Sequence, residues 1–183
     1  MNTVEPIRDK RKIASMKALL NARNPKYMIM FDIGINTGLR ISDILALKVE
    51  DVLKDHVTII EKKTGKRRRF LINKKLRKDL RKYIRESDLD EDDYLIPSRN
   101  GSGSRPIGRV QAYRVLSEAG KELGLESIGT HTLRKTFGYW HYQKYHDVVM
   151  LQEIFNHSAP SITLRYIGIT DDMKDESLRE FYL

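Results

Sequence analysis

Residues 130–166 read THTLRKTFGYWHYQKYHDVVMLQEIFNHSAPSITLRY, and their spacing predicts three successive helices over 130–145, 147–155 and 160–166. Pro160 is compatible with the third because a first helical turn has no N–H to lose. His131 and Arg134 lie three apart and so share one helix face. His157 follows, and Tyr166 comes nine positions later. Two imidazoles, a guanidinium and a phenol are the groups needed to hold a phosphodiester and attack it.

Working outward, Ile13, Met16, Leu19 and Leu20 recur at helical spacing, and Pro25 opens a second helix burying Tyr27, Met30, Phe31 and Gly34. Ile35-Asn36-Thr37-Gly38 breaks it, and Ile41, Ile44, Leu45 and Leu47 mark the next, with Arg40 at its start. The β-branched run Val57–Ile60, a turn at Thr64-Gly65 and a return over Arg69–Ile72 predict a hairpin with a basic tip. Leu76, Leu80, Tyr83 and Ile84 read as a helix running to an acidic cluster at Glu86–Asp93, and Tyr94-Leu95-Ile96 reads as a short third strand. Ser98–Pro106, rich in Gly and Ser with two arginines, is a loop, followed by a helix over about 108–123. The tail from Asp171 to Leu183 reads as an amphipathic helix with Met173, Leu178, Phe181 and Leu183 on its apolar side. The fold class is mainly α, with a small β-hairpin or three-stranded sheet.

The 183 residues, 40% hydrophobic, suffice for one substantial core. No run approaches the roughly 20 apolar residues of a membrane span, and the charged N-terminus lacks the apolar segment of a signal peptide, so a cytoplasmic protein without a membrane partner is expected. There is no cysteine, which excludes disulfides, thiolate metal sites and a cysteine nucleophile. The net charge of +9 is unevenly spread: twelve residues between Lys62 and Lys82 are Lys or Arg, against the single acid Asp79. Such density repels itself unless a polyanion neutralises it, which favours nucleic acid over a merely solvated surface. Lys66, Arg67, Arg68, Lys74, Lys75, Lys78 and the loop residue Arg105 are the candidate DNA contacts.

Cutting DNA through a covalent protein intermediate requires a hydroxyl nucleophile, fixed positive donors on the non-bridging oxygens, and a proton for the departing 5′ oxygen. Arginine suits the clamp because its guanidinium is always charged and forks onto phosphate. Arg40 and Arg134 are the candidates. Either one alone reads equally as a surface salt-bridge residue, a lone histidine is more often structural, and tyrosine is commonly a core residue. A histidine near neutral pH accepts or relays the phenol's proton. No cluster has metal-ligand spacing, and the arginines supply the charge neutralisation, so neither metal nor cofactor is expected.

Taken together, Thr37-Gly38-Leu39-Arg40-Ile41-Ser42-Asp43 with Leu45-Ala46-Leu47, then Lys63-Thr64-Gly65-Lys66, His131-Thr132-Leu133-Arg134, Asn156-His157-Ser158 and Thr163-Leu164-Arg165-Tyr166-Ile167 resemble the tyrosine recombinase, or phage integrase, family in order and spacing. The resemblance implies that Arg40 and Arg134 bind the scissile phosphate and that Lys63 protonates the leaving 5′ oxygen. It further implies that His131 assists proton transfer, His157 hydrogen-bonds a phosphate oxygen, Tyr166 forms the 3′-phosphotyrosyl bond, and Asp43 supports its neighbours. Lys62 adjoins Lys63 and would point to the opposite strand face; Lys63 is preferred because it immediately precedes Thr64-Gly65. Asn156 stands where that family commonly has glycine and can take the same left-handed backbone.

The implied activity is site-specific recombination by strand cleavage and rejoining, on double-stranded DNA, with self-association there as a dimer or tetramer. In organisation the chain departs from that family's usual pattern: it reads as a single catalytic domain over 1–183 without the N-terminal core-binding domain that members usually carry, either a catalytic fragment or a naturally short protein, with its tail 169–183 able to dock in trans. The alternative is an integrase-like DNA-binding accessory protein with the same charge and fold but weak or no turnover. A tyrosine-based type IB topoisomerase shares the chemistry, but the second histidine and the Gly38-Leu39-Arg40 context look more like integrases.

Overall fold

The computed structural model describes residues 4–60, 65, 67–98, 103–179 and 181–182. In chain order the elements are α1 (Lys10–Arg23), α2 (Pro25–Thr37), α3 (Ile41–Leu45), α4 (Val49–Val52), β1 (His56–Ile60), β2 (Arg67–Leu71), α5 (Lys74–Glu86), α6 (Arg109–Glu122), α7 (Thr130–Tyr145), α8 (Val148–Phe155), α9 (Pro160–Tyr166) and α10 (Ile169–Arg179). Among the described residues no helix is long and apolar enough to cross a membrane.

α2 is the central helix, packing against α1, α5 and α7. Asn24 caps it by accepting from the Lys26 N–H, Pro25 occupies its first turn, and Ile29, Met30, Phe31 and Ile33 are fully buried. Each such side chain contributes about 1.5–3 kcal/mol of burial. Asp32 is buried among them and is compensated by an ion pair with Lys17 and a 2.9 Å hydrogen bond from Asn36 Nδ2.

Gly38 ends α2 in the left-handed conformation, φ 68°, ψ 16°, and a Cβ there would lie 2.5 Å from a Phe137 ring carbon. Gly38→Ala is therefore expected to cost about 2–5 kcal/mol through backbone strain and overpacking together. A urea midpoint that drops at constant slope checks this, and an unchanged midpoint contradicts it.

The hairpin pairs β1 and β2 antiparallel, with His56 opposite Leu71 and Ile60 opposite Arg67. Val57 and Phe70 face each other across the ladder and both point into the core. β2 begins two residues earlier than the apolar pattern suggests. Ile72 is buried outside the ladder, its N–H bonded to Asp55 O at 3.0 Å, because Asn73 is already committed to capping α5.

The expected third strand does not form. Tyr94 makes a single bridge to Lys48, Leu95 N donates to Leu47 O, and the segment turns to the 103–107 loop for its remaining bonds, Tyr94 N to Gly103 O and Ile107 N to Ile96 O. Pro97, without an N–H, bridges only Pro106. Leu95 and Ile96 are still buried, and Leu95 O accepts from Tyr83 Oη at 3.0 Å. Burial pushes the Tyr83 phenol up to about 12.

α3 stops at Leu45, two residues short of the expected end. The four-residue α4, not anticipated from the pattern, follows with Asp51 Oδ2 accepting from Lys48 N.

A smaller apolar cluster of Leu151, Phe155, Ile167 and Ile169, joined by Phe137, Tyr139 and Tyr166, ties α8, α9 and the start of α10 to α7. Residues 4–9 form an N-terminal strap over α7. Ile7 N donates to Thr136 Oγ1 and Trp140 Nε1 donates to Ile7 O, each at 2.9 Å, while Glu5 N bonds Ser127 O. α10 starts at Ile169 rather than Asp171. Of its expected apolar side, Met173, Leu178 and the following Phe181 are 60%, 64% and 66% exposed, and Leu183 lies outside the described residues.

Candidate active site

Arg40 leaves the Gly38 turn as the N-cap of α3 and is exposed, while Leu39 before it is buried and anchors the turn. Asp43, in the first turn of that helix, accepts a 3.4 Å hydrogen bond from Ser42 Oγ. Arg134 stands in the first turns of α7 and is only 4% exposed. Its Nη1 donates to Gly38 O, and its Nη2 donates to Phe155 O at 2.8 Å, with the guanidinium carbon 4.2 Å from the Phe155 ring centroid. One side chain thus joins the end of α2 to the end of α8. Burial pulls Arg134 down to about 10, which leaves it cationic at neutral pH; Tyr166 and Asp43 oppose that fall, and Arg40 and Arg68 add to it.

Asn156 caps α8 in the left-handed region at φ 53°, as expected for the position before the second histidine, and so reverses the chain to bring His157 back. His157 Nδ1 lies 2.9 Å from the fully buried Thr163 Oγ1, which leaves Nε2 as the ring nitrogen for a substrate. Tyr166 ends α9, its ring edge-on to His157 at 5.3 Å and to Phe155 at 5.6 Å, with Lys135 Nζ 5.5 Å from its centroid. Burial raises the Tyr166 phenol above its ordinary value despite the opposing charges of Arg134 and Arg40 and a hydrogen bond from Arg134. Both imidazoles move the other way. Burial, then Arg134, Lys135 and Arg40 lower His131, and burial, then Arg134 and Arg40 lower His157. The cluster therefore pairs neutral imidazoles with a protonated phenol under two fixed cations. That composition is suited to receiving an anion and then drawing off one proton.

Arg40, Asp43 and Arg134 lie together, Tyr166 packs on His157 under the charges of Arg134 and Arg40, and His131, exposed on α7, feels the charges of Arg134, Lys135 and Arg40. His157 is the imidazole in ring contact with Tyr166. A cleft of about 1020 Å³ opens here, lined by Arg40, Asp43, Arg68, Arg109, Arg134 and Asn156 among others. Lys62, Lys63 and Lys66 lie outside the described residues.

Of the candidate DNA contacts, Arg67, Lys74, Lys75, Lys78 and Arg105 are exposed. Arg68 is different: it is half-buried, donates to Glu153 O at 3.2 Å and to Ile154 O, and stacks 5.0 Å from the Phe70 ring. It links the hairpin to the end of α8 as well as lining the cleft. Arg109 and Lys135 stand in none of the sequence motifs, although Lys135 directly follows Arg134, which is the one local signal for it.

The phage integrase family model matches residues 12–173. The probable integrase/recombinase YoeC of Bacillus subtilis is 48% identical over 182 residues, covering 99% of this chain and 98% of YoeC. The tyrosine recombinase XerA of Pyrococcus furiosus is 29% identical over 136 residues, 73% of this chain but 47% of XerA, so the chain matches about half the length of that relative. Among solved structures, XerH recombinase on a palindromic difH substrate superposes with a TM-score of 0.75 at 20% identity, over 97% of this chain and 53% of XerH. The catalytic domain of bacteriophage HP1 integrase gives 0.64 at 21%, over 98% and 99%. The chain belongs to the phage integrase family, and its fold is that of a tyrosine recombinase catalytic domain.

Proposed function

We propose that this chain is a catalytic domain that cuts and rejoins double-stranded DNA in site-specific recombination, in the cytoplasm, through a 3′-phosphotyrosyl intermediate on Tyr166. The observation that carries this reading is that Arg40 and Arg134 line one basic cleft, while Tyr166 lies under the charges of both and in ring contact with His157. Arg40 and Arg134 hold the non-bridging oxygens of the scissile phosphate, and His157 Nε2 donates to one of them. Tyr166 Oη attacks phosphorus as a neutral imidazole, with His131 in that role, takes its proton. The P–O5′ bond breaks, and Lys63 delivers a proton to O5′. Rejoining reverses the path with a 5′ hydroxyl from another strand, so the bond energy is conserved in the phosphotyrosyl ester.

YoeC's name as an integrase/recombinase and the DNA-bound states of XerH and of the lambda integrase dimer support the assignment of partner and reaction class. The uncovered Met173, Leu178 and Phe181 support self-association on DNA, with the 169–183 tail docking on a neighbouring copy. The test is incubation with a pool of nicked suicide duplexes, whose cleaved end diffuses away. A denaturation-resistant protein–DNA band is expected, and its absence at saturating protein overturns the reading in favour of a non-catalytic DNA-binding role.

Two further outcomes are expected. Lys63→Ala should lose cleavage and recover it on a duplex with a 5′-bridging sulfur, which leaves without a proton. Rescue of Lys62→Ala instead would move the acid by one residue. Duplex affinity should also fall steeply with salt, at a slope of about −0.9 per phosphate neutralised. Because Arg68 holds the end of α8, the exposed Arg67, Lys75 and Lys78 are the residues to change. Replacing them with Ala should flatten the slope and weaken all sequences alike in an anisotropy titration. An unchanged slope would mark the basic stretch as a solvated surface.

A further inference from the structure

Lys135 follows Arg134 in α7, yet it is buried, 7% exposed, with its ammonium 5.5 Å from the centre of the Tyr166 ring. The charges acting on it come from two other parts of the chain: Glu5 and Arg8 in the N-terminal strap, and Asp171 in α10. For packing alone an apolar side chain of similar length would serve better, since an ammonium withdrawn from water loses hydration that only well-placed partners restore. The strap also grips the chain just beyond Tyr166. Arg8 pairs with Asp172 at 3.0 Å, donates to Gly168 O and lies 5.5 Å over the Tyr139 ring. Gly168 has φ +80°, and a Cβ there would meet Arg8 Nη2 at 2.6 Å, so the turn after Tyr166 is shaped to admit the guanidinium.

Tyr166 stands on the last turn of a seven-residue helix, where a side chain is poorly fixed by its own backbone. Its ring is bounded by the edges of His157 and Phe155, and Lys135 adds a cation on it. We propose that Lys135 is a positioning residue for Tyr166: its buried ammonium, 5.5 Å from the ring centre, fixes the Tyr166 ring and couples presentation of the phenol to the docking of the 4–9 strap and α10. The proposal rests on Tyr166 being the nucleophile. It makes the strap, remote in sequence, part of the device that aims the attacking oxygen, while Lys135 itself touches neither phosphate nor the reacting atoms.

The experiment measures single-turnover adduct formation at saturating protein on the nicked suicide duplexes, beside duplex affinity and thermal melting, for the full chain and four variants. Lys135→Met, which keeps the buried volume, is expected to melt no lower and to bind duplex as the parent does, while adduct formation slows about tenfold, as misplacement of a reacting atom does. Lys135→Arg should restore most of the rate. Arg8→Gln, at a partly exposed side chain of the strap, should also slow the adduct at unchanged affinity, and it reads the same coupling if Lys135→Met does not fold. A parental rate in Lys135→Met or Arg8→Gln overturns the proposal. So does a parallel loss of affinity and rate, or an Arg variant no better than Met. Tyr166→Phe separates the two readings. An adduct in that variant overturns the nucleophile and this proposal with it; no adduct there, together with a parental rate in Lys135→Met, overturns the positioning role alone.

Discussion

Tyr166→Phe is expected to bind duplex DNA with parental affinity and to form no covalent adduct, a loss of about 10⁵-fold or more, as for removal of a nucleophile. The substitution deletes one oxygen and keeps the ring that packs on His157 and Phe155, so the fold is preserved. The other tyrosines of α7 are otherwise engaged. Tyr139 packs edge-on against Trp140 under Arg8, Tyr142 packs edge-on against His146, and the exposed Tyr145 lies beside His141 and Lys144. The pH profile of the parent carries the same logic. His131 and His157 are both lowered from 6.5, so the neutral, proton-accepting imidazole dominates at neutral pH and is lost on acidification. Adduct formation should rise through the acid range and level off by about pH 7. A rate that falls as pH rises through that range would contradict the assignment of an imidazole as base.

Arg134→Lys has the second largest expected effect because one buried guanidinium serves chemistry and architecture together. An ammonium cannot fork onto Gly38 O and Phe155 O at once while lying flat on the Phe155 ring. A carbonyl is left unsatisfied, costing about 1–3 kcal/mol of stability. With the forked contact to phosphate also gone, adduct formation should drop by about 10²–10³-fold. Urea unfolding and the suicide-duplex assay read the two effects separately. A variant with parental stability and an adduct rate within about tenfold of the parent would show that Arg134 neither bridges α2 to α8 nor holds the phosphate.

The helices of two turns or more were legible because their apolar residues recur at helical spacing and their ends carry signals: Pro25 at the start of α2, Asp147 before α8, Pro160 at the start of α9. Short pieces were not. Val49–Val52 is a single turn with no periodicity to read, and Tyr94–Ile96 has a strand's composition but bonds to two different loops rather than to a ladder. The tail's apolar pattern predicted a helix, which runs over Ile169–Arg179, but not where its apolar residues find cover, since pattern reports which residues prefer cover and not whether this chain supplies it. The site divides the same way. Arg40, Arg134, His157 and Tyr166 stand in motifs whose resemblance to the tyrosine recombinase family implied a shared site, and Asn156 takes the left-handed turn foreseen for it. Arg68 looked like one more surface cation in a basic run. Its role at the end of α8 depends on contacts 85 and 86 residues away, which no local pattern encodes. Lys135 was passed over because its neighbours Glu5, Arg8 and Asp171 come together only in the folded chain.

Strand cleavage by this site requires the phenol of Tyr166 to become bonded to DNA. The most direct measurement is to trap the parent chain on nicked suicide duplexes, digest the adduct with protease and nuclease, and locate the modified residue by fragment mass. One modified peptide is expected, carrying a 3′-linked nucleotide on Tyr166. A nucleotide on Tyr139, Tyr142, Tyr145 or any other side chain, or a 5′ linkage at Tyr166, would contradict it.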